Sequence, residues 1–359
     1  LERKPILTKA CFLLITLSFL GFAQGPPSNC SEDIILINDQ GCASSCCFQD
    51  PANSGHYVFT ASSVEKIEIR GNSASVASVS FPNLISVEKS ITISYNQPGA
   101  VTSISFPSLQ TTGSLEIRGN SSLLSVDLPR LMSIENNERD AFLRIQSNDN
   151  LLTLNVPRLG RVVSTDYGSA YIQIRYNAKL EEINFPALRT IEASDDYDEA
   201  YVIIGDNDMA RNVNMDNLRQ LSSGWESISY LVIDDMLSLE ELSFSNLTEL
   251  LPTGGAYNFN EITVGHCPLL TEFVFPRLER VSLLQLSSLK GTRKAMFPSL
   301  TELDYLWVWQ SCESPESTLK MYICSAETIM DVHLNDNEGL CGPNGYMLYS
   351  INPNNAAAC

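Results

Sequence analysis

Along this chain a short apolar-x-apolar alternation is followed three positions later by Asn, and eight to ten positions after that by Phe-Pro-x-Leu or a close variant. It reads Ile67-x-Ile69-x-x-Asn72 with Phe81-Pro82-Asn83-Leu84, then Ile91-x-Ile93-x-x-Asn96 with Phe106-Pro107-Ser108-Leu109. Leu115-x-Ile117-x-x-Asn120 with Leu128-Pro129-Arg130-Leu131 follows, and the pattern runs on to Phe297-Pro298-Ser299-Leu300. A period of two puts the paired apolar residues on one side of a strand and their neighbours on the other. One such unit cannot bury its apolar face alone, whereas stacked units can. The pattern therefore predicts a β-rich solenoid, a parallel β-helix whose inward column runs from Ile67 and Ile69 to Leu306 and Val308.

Asn72, Asn96, Asn120, Asn148, Asn177 and Asn207 fall in register on consecutive units. A buried Asn can bond the backbone of its own turn and of the next coil, so these six are expected to form a structural ladder. Beyond Asn207 the same position holds Met236, Cys267, Leu289 and Ser311, and packing is expected to take over there. Cys267 reads as a buried small hydrophobe. Phe81, Phe106, Phe185, Phe275 and Phe297 are expected to plug the core, while the following Pro turns the chain without an unpaired donor.

The spacing from the closing Leu to the next strand is six or seven positions in the outer units, as from Leu84 to Ile91 and from Leu300 to Leu306. In five consecutive middle units it doubles, as from Leu131 to Leu143 and from Leu188 to Val202. Insertions at one phase of a solenoid stack on one edge, which is often a binding face. These inserts carry acids and aromatics, among them Tyr167, Asp195, Asp196, Tyr197, Asp198, Trp225 and Tyr257. Beside them Phe142, Tyr171, Tyr201 and Tyr230 each stand immediately before a strand's apolar pair, outward by parity, and are expected to stack at about 4.8 Å per coil. Either the inserts fold over this stack as a second small core, or the stack and its carboxylates receive a sugar ring or a protein hot spot. Arg70, Arg118, Arg144 and Arg175, alternating with Glu68, Glu116 and Gln173, suggest an ion-pair ladder on the same sheet.

Catalytic signals are thin. The three histidines, His56, His266 and His333, are too scattered in sequence to read as a triad or a metal site. Asp206, Asp208, Asp234 and Asp235 come close enough in register to cluster, which would suit Ca²⁺ or carbohydrate chemistry through Asp206, Asp234 and Asp235. Acidic turn residues without a ligand are commoner. No enzyme activity, metal or cofactor is expected.

Composition adds the compartment. Arg3, Lys4 and Lys9 ahead of the apolar run Ala10 to Phe22, with Gly21 and Ala23, read as a secretory leader over 1–24 that is too short to span a bilayer. The formal charge of −19 becomes two units more negative when Glu2 and the three leader cations leave. Such a surface repels phosphate, which argues against nucleic acid as a partner. Of ten cysteines, Cys30, Cys42, Cys46 and Cys47 precede the first unit and Cys312, Cys324, Cys341 and Cys359 follow the last. They are expected to staple two disulfide caps over 25–63 and 310–359, with connectivity open and zinc the competing use.

The joint pattern of Leu115 to Leu131 and of Ile172 to Leu188 resembles the receptor L-domain family, the leucine-rich-repeat-like modules of insulin and epidermal growth factor receptor ectodomains and of many secreted or cell-wall proteins. The resemblance covers about residues 64–309, roughly ten coils. It implies a right-handed solenoid with capped ends, and ligand binding or adhesion in place of catalysis. The motif fits either one long array or two tandem L-domains. The expected protein is a secreted or cell-surface binding solenoid whose partner is an extracellular protein or glycan, with a carbohydrate-active enzyme and a structural matrix component as the alternatives.

Overall fold

The computed structural model describes residues 61–309, except 73–75, 196 and 253–259. It also describes the strands Glu32–Asn38, Gly41–Cys42, Cys47–Gln49, His56–Phe59, Lys320–Ile323, Thr328–Asn335 and Met347–Tyr349. The leader and most of both caps lie outside the described residues. Cys42 and Cys47 fall in described strands, but the side chains of all eight cap cysteines and any pairing among them lie outside.

The chain winds as a parallel β-solenoid, and no described residue is helical. Its main ladder starts with Glu32–Asn38 on Ser63–Arg70 and takes Ser86–Ser94, Leu115–Arg118 and Ala141–Gln146 in succession, then Ala170–Arg175, Ala200–Gly205 and Ser229–Asp234, and runs through Asn260–Gly265, Arg280–Ser287 and Glu302–Trp309 to Thr328–Asn335. Every pairing in it is parallel and in phase, Ile67 to Ile91 to Leu115 to Leu143, so like residues stack on like. The ladder runs without a break from end to end. Among the described strands, antiparallel pairing occurs only near the start, where Gly41–Cys42 folds back on Glu32–Asn38 and Cys47–Gln49 on His56–Phe59.

Coil width changes along the axis. In narrow outer coils such as Ser86–Ser94 one long strand serves two ladders, Ser86 and Val87 pairing in a second ladder while Ile91 and Ile93 pair in the main one; the last narrow coil before the inserts is already split into Thr111–Thr112 and Leu115–Arg118. In the middle coils the insert cuts that strand in two. Ser133–Asn136, Arg161–Ser164, Thr190–Ala193, Gln220–Ser223 and Glu249–Pro252 form the second ladder, and a corner turn leads from each of the first four to its main strand. Part of each insert is thus sheet and not loop, because insertions stacked at one phase can pair their backbone groups coil to coil. A third face carries three-residue strands from Ser78–Ser80 to Thr153–Asn155, and a separate sheet continues that side from Glu182–Asn184 onwards.

The core is the predicted column together with the Phe-Pro-x-Leu residues. Phe59, Phe81 and Phe106 stack at 4.5 and 4.6 Å, and Phe244, Phe275 and Phe297 at 5.5 and 5.7 Å, all buried. Leu128, Val156, Phe185 and Met215 fill the same column between them. Burial of each such side chain contributes about 1.5 to 3 kcal/mol.

At the exit of each main strand the chain turns through one left-handed residue. Gly71, Tyr95, Gly119, Ser147, Tyr176, Asp206, Asp235, His266 and Ser288 hold φ between 46° and 67° at the same phase. For a non-glycine residue this costs roughly 1 kcal/mol, and the residue just after it offsets the cost. In the first half that residue is the ladder Asn. Asn148 accepts from the backbone N–H and side-chain amide of Asn120 (both 3.1 Å) and donates to Ile117 O (3.0 Å), Gln146 O (3.1 Å) and Asn177 Oδ1 (3.2 Å). Asn207 ends the ladder against Met236 Sδ at 3.8 Å. Met236, Cys267 and Leu289 then continue the position as buried apolar residues. The Cys267 thiol donates to Gly265 O at 2.9 Å, and burial pushes its pKa up to about 12, as suits a packing residue and not a nucleophile.

Candidate functional site

Outward positions of the main ladder form straight lanes along the axis. The first runs Lys66, Ser90, then Ser114 just before Leu115, then Phe142, Tyr171, Tyr201, Tyr230 and Glu261. The four aromatic rings stack at 4.9, 4.5 and 4.6 Å with planes within 6°. Tyr171 is 3% exposed and the other three rings are half-buried. Arg144 donates to the Tyr171 hydroxyl (2.5 Å), Gln173 Oε1 (3.0 Å) and Glu116 Oε1 (3.2 Å). Its guanidinium lies 5.1 and 5.2 Å from the Phe142 and Tyr171 centroids, hence beside the pair and not on Phe142's outer face. The Tyr230 hydroxyl donates to Glu199 Oε2 at 3.1 Å. Burial holds the Tyr171 phenol up at about 12 and raises Tyr201 and Tyr230 further, with Glu199 adding to the rise at both. The aromatic tower is uncharged at any physiological pH.

The corner turns wall one flank of this tower, and hydrogen bonds tie each turn to the next. Asn136 Oδ1 accepts from the backbone N–H groups of Glu138 and Arg139, and its amide donates to Asp140 O. Asp140 Oδ1 accepts from Ser169 N at 3.0 Å, and Asp198 Oδ2 from Gly168 N at 2.5 Å. Gly168, at φ 144°, lets the second turn nest on the first: a Cβ there would sit 2.3 Å from the Arg139 carbonyl carbon. Asp198, expected as a ligand residue, therefore braces a turn. Asp195 lies in the same turn, and its carbonyl accepts from Asp198 N at 3.2 Å. The tips stand clear, with Tyr167 73%, Tyr197 75% and Trp225 53% exposed. Asp196 and Tyr257 lie outside the described residues. The turns thus cover one flank of the tower and carry aromatic tips into solvent.

Where the narrow coils meet the first corner turn, the difference in width opens a cleft of about 820 Å³. Its floor is the narrow-coil continuation of the tower lane, Lys66, Ser90 and Ser114, with Thr92 alongside. Its wall is the Asn136 to Asp140 turn with Tyr167 and Gly168, and Phe142 closes the end. Lys89 and Glu65, paired at 2.7 Å, border the other side. Three cations (Lys66, Lys89, Arg139) and three carboxylates (Glu65, Glu138, Asp140) balance there, in a chain whose overall charge is −19.

The arginines expected as one constellation divide between two lanes. Arg144 shares a lane with Glu68, Thr92, Glu116 and Gln173, while Arg70, Arg118 and Arg175 lie in the next. Arg175 donates to Asp206 Oδ2 (3.1 and 2.6 Å), so one of the four aspartates considered for calcium is held by a guanidinium. Asp234 Oδ1 lies 2.8 Å from His266 Nδ1, with Asp235 Oδ1 at 3.8 Å. His266 enters this cluster because it occupies the left-handed position one coil after Asp235. Asp208 is exposed and makes no part of it.

Sequence reasoning missed the cleft and the Asp234–His266 pair. The signal for the first was present: aligning the residue before each main strand shows two serines where the aromatic lane would continue. The signal for the second was the residue before each ladder position, whose backbone conformation sets the three-dimensional neighbour. No family model matches the chain, and neither a curated protein nor a solved structure matches it.

Proposed function

We propose that this protein is an extracellular, non-catalytic binding or adhesion solenoid of the receptor L-domain kind, which takes a protein or glycan ligand at the insert-bearing edge. The observation that carries the reading is the cleft at the width step, roomy enough for a small ligand or a side-chain anchor. An aromatic ring at its end and an exposed Tyr167 on its wall are the residue types that dominate binding surfaces. Of the three aspartates considered for carbohydrate chemistry, Asp206 is tied to the Arg175 guanidinium. The rival reading keeps one feature, the Asp234, Asp235 and His266 donor atoms within 4.8 Å of one another.

Immobilised protein exposed to a glycan array and to secreted proteins tests the reading. Saturable capture that falls when Tyr167, Tyr197 and Trp225 are all replaced by Ala is the expected result. Polysaccharide turnover abolished by Asp234→Ala would replace it with the enzyme reading, and no saturable ligand at all would leave a structural component.

A further inference from the structure

Resting on that reading, we propose that the outer face of Phe142 is a stacking platform for one neutral hexopyranose ring, seated in the cleft that Phe142 closes, whose floor holds the buried Ser114 and the half-buried Ser90. Tyr171 covers the inner face of Phe142 at 4.9 Å, and Arg144 lies to the side of both rings. The outer face is the end of the cleft. The register position next to Phe142 belongs to Ser114 and the one after it to Ser90, so the tower stops where two short side chains begin. Two coil steps amount to about 10 Å. That leaves room for a pyranose ring in van der Waals contact with Phe142, its rim hydroxyls turned to the floor and borders of the cleft.

The surrounding groups select the ligand class. A pyranose presents a C–H face to an aromatic ring and a rim of hydroxyls that each donate and accept. The floor offers hydroxyls that do both (Ser90, Thr92), and the borders offer ammonium donors (Lys66, Lys89) and carboxylate acceptors (Glu65, Glu138). A planar aromatic ligand would match Phe142 but give the Ser90 and Thr92 hydroxyls nothing to bond. The balance of cations and carboxylates gives a charged sugar no net attraction, whereas a neutral one bonds to both.

Titration calorimetry with four neutral hexasaccharides tests this: β-1,4-glucan, β-1,3-glucan, β-1,4-linked N-acetylglucosamine and α-mannan, with folding checked by thermal melts. At least one should bind the wild type saturably below about 10 mM, Phe142→Leu should weaken it about tenfold or more, and Phe142→Trp should stay within about threefold. The double variant Ser90→Phe/Ser114→Phe extends the tower over the outer face of Phe142 and should also abolish binding while residue 142 itself is unchanged. Equal affinity of wild type and Phe142→Leu, or undiminished binding by the filled lane, overturns the proposal. If the wild type captures a secreted protein through Tyr167, Tyr197 and Trp225 but binds none of the four sugars, the binding-solenoid reading stands and the hexopyranose platform fails.

Discussion

The narrow outer coils and the wide middle coils share a core, a left-handed exit residue and a Phe-Pro-x-Leu closure, yet they present different outer surfaces. In a narrow coil the nine residues Ser86–Ser94 run as one strand, and the outward lane carries Lys66 and Ser90. In a wide coil the same path is two strands and a turn, as in Arg161–Ser164 and Ala170–Arg175, and the lane carries stacked aromatics. The inserted residues thus add a side to the cross-section instead of a pendant loop. A side can be added only if several successive coils lengthen together, since one lengthened coil would leave its new strand unpaired. The cleft follows from the junction: a wide coil beside a narrow one makes a wall over a floor.

If width is a peripheral change, the exit corner should be equally important in both regions. Asn148→Ala in a wide coil removes one acceptor used twice and three donated bonds, and Asn96→Ala in a narrow coil removes a comparable set, from Asn72 and to Ile69 O and Asn120. Each should destabilise by about 3 kcal/mol, because buried backbone groups are left unpaired. Urea midpoints that differ strongly between the two would show that coil width governs the corner.

The sequence discloses the shared parts and hides the differences. Strand parity, the Asn register and the Phe columns are repeated at fixed phase, so each coil confirms the next. Any pairing among the terminal cysteines would have no such repetition to reveal it. The inserts were legible as extra length, but residues 133–136 and 161–164 read as loop because short paired strands such as Ser133–Asn136 carry little alternation of their own. Asp198 illustrates the limit at the site: an acidic residue in a polar turn reads as ligand or surface, and only the neighbouring turn's Gly168 N–H makes it a brace.

The wide coils alone should impose an alkaline limit on stability. Phenols of the unfolded chain ionise near pH 10, whereas burial in the tower holds Tyr171 up at about 12 and Tyr201 and Tyr230 higher. A group with a raised folded pKa contributes its full stability below the unfolded pKa. Above pH 10 the unfolded state releases protons that the tower retains, so stability falls as pH rises towards 12. Urea midpoints should decline from pH 9 to 11, with part of the phenolate absorbance at 295 nm appearing only on unfolding, and Tyr201→Phe should flatten the decline. Complete phenol ionisation in the folded state, at an unchanged midpoint, would mean that the tower is open to water.

The smallest effect separates what builds the wall from what decorates it. Glu138 is exposed on the first corner turn and donates only its backbone N–H, which Asn136 Oδ1 accepts along with that of Arg139. Asn136 also closes the turn through its amide to Asp140 O at 3.1 Å, and Asp140 in turn receives Ser169 N from the next coil. Asn136→Ala should therefore cost about 1 to 2 kcal/mol by releasing the turn, whereas Glu138→Ala should stay within about 0.5 kcal/mol, as surface changes away from such contacts do. The two substitutions lie two residues apart in the same cleft wall, so thermal melts of the pair compare a side chain that shapes the backbone with one that only faces solvent. Equal shifts would mean that the turn is held by its coil-to-coil backbone bonds alone, and that the wide coils owe their corner to stacking and not to the Asn at its entrance.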